Sequence, residues 1–236
     1  MSPSNEPDRT TRQPAPAPRD SGPLFLVVAL IAAFFIATYL APRLSKTASN
    51  DAVGANHATL ADAEAAEKAG NQKQAHNILL SLAKKDNAQA QLKLAEMYEI
   101  GPPDGSPDLK QAATWYEKAS RAGLVAAKAR LGHLYLEGVG VLQDFAKAKP
   151  LLEEAANDGN ATAQFDLGRM WQHGWGGEEN ERLAYAWFEL AAQQDYAPAL
   201  KARDKLLAGL SPVQVKEAQD LLEKLNGNVL KPSGKD

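Results

Sequence analysis

Residues 131–141 read LGHLYLEGVGV and residues 167–177 read LGRMWQHGWGG, so nearly the same phrase returns after 36 residues. A period of that length constrains the fold strongly. A unit so short cannot bury its apolar face alone and must stack on its neighbours. The period runs through much of the chain. Ala90, Ala127, Ala163 and Ala199 recur at intervals of 37, 36 and 36. Leu94-Ala95, Leu131-Gly132 and Leu167-Gly168 fall in register, then Tyr98, Tyr135 and Trp171, then Gly101, Gly138 and Gly174. Asp108, Asp144 and Asn180 each precede a second alanine-rich run, and Gly123, Gly159 and Asp195 close the units.

The residue types at these positions have a mechanical reading. Glycine in a helix interior costs about 1 kcal/mol relative to alanine, so Gly132 and Gly168 need a compensating gain. Close crossing of two antiparallel helices supplies one. Gly138 sits where the first helix should end, in the left-handed position after the last turn. Asp144 is a natural N-cap for the second helix. Trp115-Tyr116, Leu151-Leu152 and Trp187-Phe188 are placed to pack one unit on the next. Lys128 reads as a solvated helix position.

The pattern A-x-x-x-L-G-x-x-Y-x-x-G-x-G-V…D-x-x-K-A-x-x-W-[YF]-x-x-A-A-x-x-G resembles the Sel-1-like repeat, the longer relative of the tetratricopeptide repeat. Three units match, at about 88–124, 125–160 and 161–196. The first departs by Ala95 and by a loop, PPDGSP, one residue longer; the third departs at Asp195 and Gly177. The resemblance implies an all-α fold, an α/α solenoid of helix-turn-helix repeats. Residues 59–87 extend the array as a tetratricopeptide-like unit without the long interhelix loop. Residues 197–226 read as a C-terminal cap, with Ser211 as N-cap and Pro212 at the first helical position. A disordered tail is expected over 227–236.

Ahead of the repeats stands LFLVVALIAAFFIATYLA, Leu24 to Ala41, 18 residues without charge, proline or glycine. As a helix it would span about 27 Å, close to the hydrocarbon thickness of a bilayer. A cleaved signal peptide fits less well. The preceding segment, residues 1–23, is long, proline-rich and carries acids, and Tyr39 and Pro42 spoil the cleavage site. The expectation is a single transmembrane helix between a disordered tail (1–23) and a flexible tether (42–58). Arg9, Arg12 and Arg19 before the span against Arg43 and Lys46 after it weakly favour a cytoplasmic N-terminus. In a bacterium this would make a single-pass inner-membrane protein with a periplasmic repeat domain.

Little chemistry is legible. The chain has no cysteine, which excludes disulfides, thiolate metal sites and cysteine nucleophiles. A formal net charge of -3 without a basic cluster gives no reason to expect nucleic acid. Ser81 to Lys84 matches S-x-x-K, but neither S-D-N nor K-T-G follows it. His57, His76, His133 and His173 lack metal-ligand spacing. GWGG, Gly174 to Gly177, lacks the Lys-Ser/Thr of a phosphate loop and reads as an interhelix turn, with Trp175 packing over its own unit. No cofactor, metal or catalytic residue is expected, and the chain reads as a binding scaffold, not an enzyme. The rival reading is a periplasmic hydrolase or beta-lactam-interacting enzyme on the same repeats.

In tetratricopeptide-type units the concave surface is lined by fixed positions of the first helix. The resemblance carries these over to Leu92, Glu96 and Glu99 in the first unit, and to Ala129, His133 and Leu136 in the second. In the third they are Phe165, Arg169 and Gln172, with Lys201 and Lys205 beyond. The expected partner is a protein or peptide with apolar anchors for a floor of Leu92, Leu136 and Phe165. Its charge should be basic toward the first unit and acidic toward the last.

Overall fold

The computed structural model describes residues 58–229; the tail, the Leu24–Ala41 span and the tether up to residue 57 lie outside them. The described residues form ten helices and no strand. They are α1 (Leu60–Lys68), α2 (Gln72–Ala83), α3 (Ala88–Ile100), α4 (Leu109–Arg121) and α5 (Val125–Glu137). The others are α6 (Phe145–Asn157), α7 (Ala161–His173), α8 (Glu181–Ala192), α9 (Ala197–Leu207) and α10 (Pro212–Val229). Among the described residues no helix is long and apolar enough to cross a membrane.

Helix starts are written locally. Asp144 accepts a hydrogen bond from the Lys147 backbone N–H at 3.0 Å, and Asn180 from Leu183 at 3.0 Å. Asp108 accepts from Lys110 and Gln111. Asn87 and Asn160 cap α3 and α7 in the same way. At α10, Ser211 and Gln214 form a reciprocal box: the Gln214 N–H donates to the Ser211 hydroxyl, and the Ser211 N–H donates to Oε1 of Gln214.

Each helix from α1 to α8 packs against the next, and α5 also touches α7. The core between them is largely alanine, with Leu79, Leu94, Tyr116, Leu152, Leu167 and Phe188 as its large, fully buried members. Gly132 and Gly168 sit where the first helix crosses the second. A Cβ at Gly132 would stand 2.8 Å from the Leu152 side chain, and one at Gly168 would stand 2.4 Å from the Phe188 ring. The helix propensity lost at each glycine is offset by that approach. Gly138 ends α5 in the left-handed region, at φ 70°.

Three features depart from sequence expectation. α9 and α10 both take α8 as their main neighbour. Leu206 and Ala218 join Ala184, Tyr185 and Phe188, while Leu222 and Leu225 reach the cluster around Leu152, Trp187 and Leu190. α10 runs to Val229, past the boundary expected at 226, because a helix anchored by Leu222 and Leu225 propagates cheaply. Lys128 is not a free surface position: its side chain is 17% exposed and its Nζ lies 2.7 Å from Glu154.

Candidate functional site

The first helices of the units (α1, α3, α5, α7 and α9) carry the residues expected to face a partner. Their side chains do three different things. Glu96, Lys201 and Lys205 are exposed, and Leu92 and Gln172 are half-buried. Leu136 is 1% exposed and belongs to the core with Ala148, Leu152 and Leu167, so it supplies no floor for a ligand. Ala129 is buried in the same cluster, among residues of α6 and α7. Phe165 is half-buried, with ring centroids 5.6 Å from Phe188 and 5.5 Å from Tyr196. It mainly seats α9 on the third unit.

Glu99, His133 and Arg169 are engaged with neighbouring units. Arg130 on α5 pairs with Glu99 on α3, and Glu99 also accepts a hydrogen bond from the Tyr116 hydroxyl at 2.7 Å. Burial, then the Glu99 carboxylate, pushes the Tyr116 phenol above its usual pKa. On α7, Arg169 pairs with Glu137 of α5 at 2.5 Å and lies 3.4 Å from Asp166. His133 Nδ1 stands 2.8 Å from Asp166, which is 1% exposed. The hydrogen bond to Asp166 raises the His133 pKa above its ordinary value, against the opposing effect of burial. With Lys93 on Glu64 of α1, these pairs form a polar ladder from one first helix to the next. Its members hold the array in register.

Asp166 was not legible as a site residue. Only packing makes it the shared acceptor of His133 and Arg169. Likewise Gln91 and Gln164, equivalent positions two units apart, donate to the Ala83 and Ala156 carbonyls at the ends of the preceding helices.

The loops between first and second helices line another edge. Gly140 and Gly176, one repeat apart, each reach the start of the preceding second helix. A Cβ at Gly140 would stand 2.4 Å from the Leu109 carbonyl oxygen, and one at Gly176 would stand 3.3 Å from Cβ of Phe145. Trp175 does more than cover its own unit. Its ring stacks parallel to Phe145 of the preceding unit at 5.8 Å, with Arg169 at 5.2 Å and His173 at 4.7 Å. GWGG is thus an interhelix turn that clamps two units.

Other candidates stay dispersed. Ser81 lies within α2 and Lys84 caps it, so S-x-x-K is a stretch of ordinary helix. His76, His133 and His173 sit on different helices, and among the described residues no cluster of three His, Asp or Glu could hold a metal; His57 lies outside them. The His133–Asp166 pair resembles a base and its orienting carboxylate, yet among the described residues no hydroxyl hydrogen-bonds to His133.

The model of the Sel1 repeat matches residues 88–124, 125–160 and 161–196, the same three helix pairs. Residues 88–196 are three Sel1 repeats. It is 29% identical to the chitin synthase regulator SKT5 of Saccharomyces cerevisiae over 156 residues, 64% of this chain and 22% of that protein. It is 30% identical to the ERAD-associated E3 ubiquitin-protein ligase component HRD3B of Arabidopsis thaliana, over 49% of this chain and 18% of that one. The chain thus spans about a fifth of the length of these curated relatives. Among solved structures it is similar to c5321, a protective antigen of uropathogenic Escherichia coli displaying an SLR fold. That match has a TM-score of 0.61 and 29% identity, over 67% of this chain and 34% of that one. The Sel1 units here are therefore an α-solenoid by sequence, packing and fold likeness.

Proposed function

We propose that this chain is a membrane-tethered scaffold that holds a protein or peptide partner along the first-helix face of its Sel1 units. The observation that carries this reading is the charge left over once the ladder has formed. Glu96 is exposed toward one end of the first-helix layer and Lys201 and Lys205 are exposed toward the other, and none of the three makes an ion pair among the described residues. The ladder between them keeps the helices rigid, so a partner meets a preorganised surface. Complementary charge would set its orientation and on-rate more than its affinity.

The similar proteins are named as a regulator and as a ligase component, which supports an adaptor role over a hydrolytic one. Leu24–Ala41 would anchor the chain, and residues 42–58 would let the solenoid stand off the surface. With the N-terminus in the cytoplasm of a bacterium, the solenoid would work in the periplasm.

The test is crosslinking in intact cells, with mass spectrometry of what the full chain captures. Lys201→Glu with Lys205→Glu should lose or weaken a partner that the parent captures. If that variant stays folded and captures the same partners at the same yield, the first-helix face is not the binding surface.

A further inference from the structure

The seam between consecutive units is closed twice by a packed glycine and crossed once by a surface ion pair beside a groove. Gly140 rests on Leu109, the first residue of α4, and Gly176 rests beside Phe145, the first residue of α6. One repeat earlier the corresponding loop residue is Pro103, and the corresponding helix start is Gln72. Proline brings a ring to a place where even a Cβ would collide with backbone. The loop instead reaches the start of α2 through the surface pair Lys73–Asp104 at 2.6 Å, and a groove of about 480 Å³ lies between α1, the start of α2 and the end of α3. Pro103 also borders two neighbouring hollows of about 310 and 540 Å³.

We propose that this groove is a docking site for a peptide segment that pairs a lysine or arginine with an adjacent apolar side chain. The groove has a part for each. Ile100 is 81% exposed at the end of α3, and with Met97 and Pro103 it makes an apolar shelf. The contiguity of the three side chains, not the exposure of Ile100 alone, makes the shelf a surface for another apolar group to cover. Glu67 and Glu96 border the shelf, and neither carboxylate has a hydrogen bond or ion pair among the described residues. Lys93, the cation beside them, is turned to Glu64 at 3.4 Å. Burial raises the pKa of Glu96 against the opposing pull of Lys93 and Arg130, so those cations only partly offset the desolvation of its carboxylate. A cationic side chain on the partner adds to that offset while its apolar neighbour covers Ile100.

This inference rests on the scaffold reading and gives it one anchoring end. The probes are two fluorescent ten-residue peptides, one alternating leucine with lysine and the other leucine with glutamate, titrated into the full chain in detergent. The basic peptide should bind and the acidic one should not. Glu67→Lys with Glu96→Lys, and separately Ile100→Ser, should each weaken the basic peptide about tenfold, a change of about 1.4 kcal/mol. Both changes are at solvent-accessible positions, and circular dichroism checks that helix content is retained. Equal binding of the two peptides, or unchanged affinity in both variants, overturns the proposal. So does self-association of the parent that Ile100→Ser abolishes, since the occupant is then a second copy. If partner capture in cells is lost with Lys201→Glu and Lys205→Glu but kept with Glu67→Lys and Glu96→Lys, the scaffold stands and this groove falls.

Discussion

Gly140 lies so close to Leu109 that no side chain fits between them: an added Cβ would stand 2.4 Å from the Leu109 carbonyl oxygen, and the backbone there has φ 72°. The contact joins the loop of one unit to the second helix of the unit before it. Alanine at position 140 meets two penalties, a backbone clash and a left-handed conformation. We expect Gly140→Ala to cost about 2–4 kcal/mol in urea denaturation. Gly138→Ala faces a left-handed φ with milder crowding from Gln143, and should cost about 1 kcal/mol. Equal costs at the two positions would show that the seam contact contributes nothing.

The two helix-crossing glycines should differ. At Gly132 an added methyl would stand 2.8 Å from the Leu152 side chain; at Gly168 it would stand 2.4 Å from the rigid Phe188 ring, a tighter clash against an equally buried neighbour. Overpacking costs about 1–3 kcal/mol when neighbours cannot move aside. Gly168→Ala should therefore lower the melting temperature more than Gly132→Ala does. Lys201→Ala, at an exposed position, is the neutral control, within about 0.5 kcal/mol. The reverse order, or melting temperatures equal to the control, contradicts this packing account.

The His133–Asp166 pair predicts a pH dependence with a definite sign. Folding raises the His133 pKa above 6.5, so its contribution is complete below that value and is lost as pH rises through the higher folded value. The other charges facing it are Arg130 and Glu137 on α5 and Arg169 on α7. The parent should lose stability relative to His133→Gln on going from mildly acidic to alkaline pH. Parallel stability curves for parent and variant across that range would remove the pair from the pH response.

Tyr116, Glu99 and Arg130 make the corresponding node one unit earlier. Tyr116 is fully buried and its hydroxyl donates to Glu99, so Glu99→Ala strands a phenol at a cost of about 1–3 kcal/mol. Removing both partners should cost less than the sum. A double-mutant cycle of Tyr116→Phe and Glu99→Ala that shows strict additivity would mean the hydrogen bond has no net value.

The tether makes a prediction of its own. If Leu24–Ala41 stays in the mature chain as a membrane helix, the full-length protein should resist carbonate extraction. Release into the supernatant, or a mature N-terminus near Pro42, contradicts it.

Much of the solenoid was legible in the linear chain because its determinants are local and repeated. Asp144 and Asn180 cap because an aspartate or asparagine side chain reaches an N–H three residues on, whatever surrounds it. Gly138 ends a helix for a reason contained in one residue's φ. The 36-residue period announced Gly132 and Gly168 as crossings, because each sits at the same place in a unit that must pack on its own second helix. What only the tertiary structure decided is where side chains point between units. Leu136 and Glu99 occupy equivalent first-helix positions, yet one is core and the other is half-buried and paired with Arg130, since burial depends on the next helix over. His133 and Arg169 were read as part of a surface for a partner, and only packing shows that each also pairs with an adjacent first helix, through Asp166 and Glu137. Pro103, in the loop PPDGSP, stands where its counterparts are glycines packed on a helix start, and with Gln72 it lines a groove instead. Many contacts between units join residues about thirty positions apart, and no local pattern records which atoms meet there.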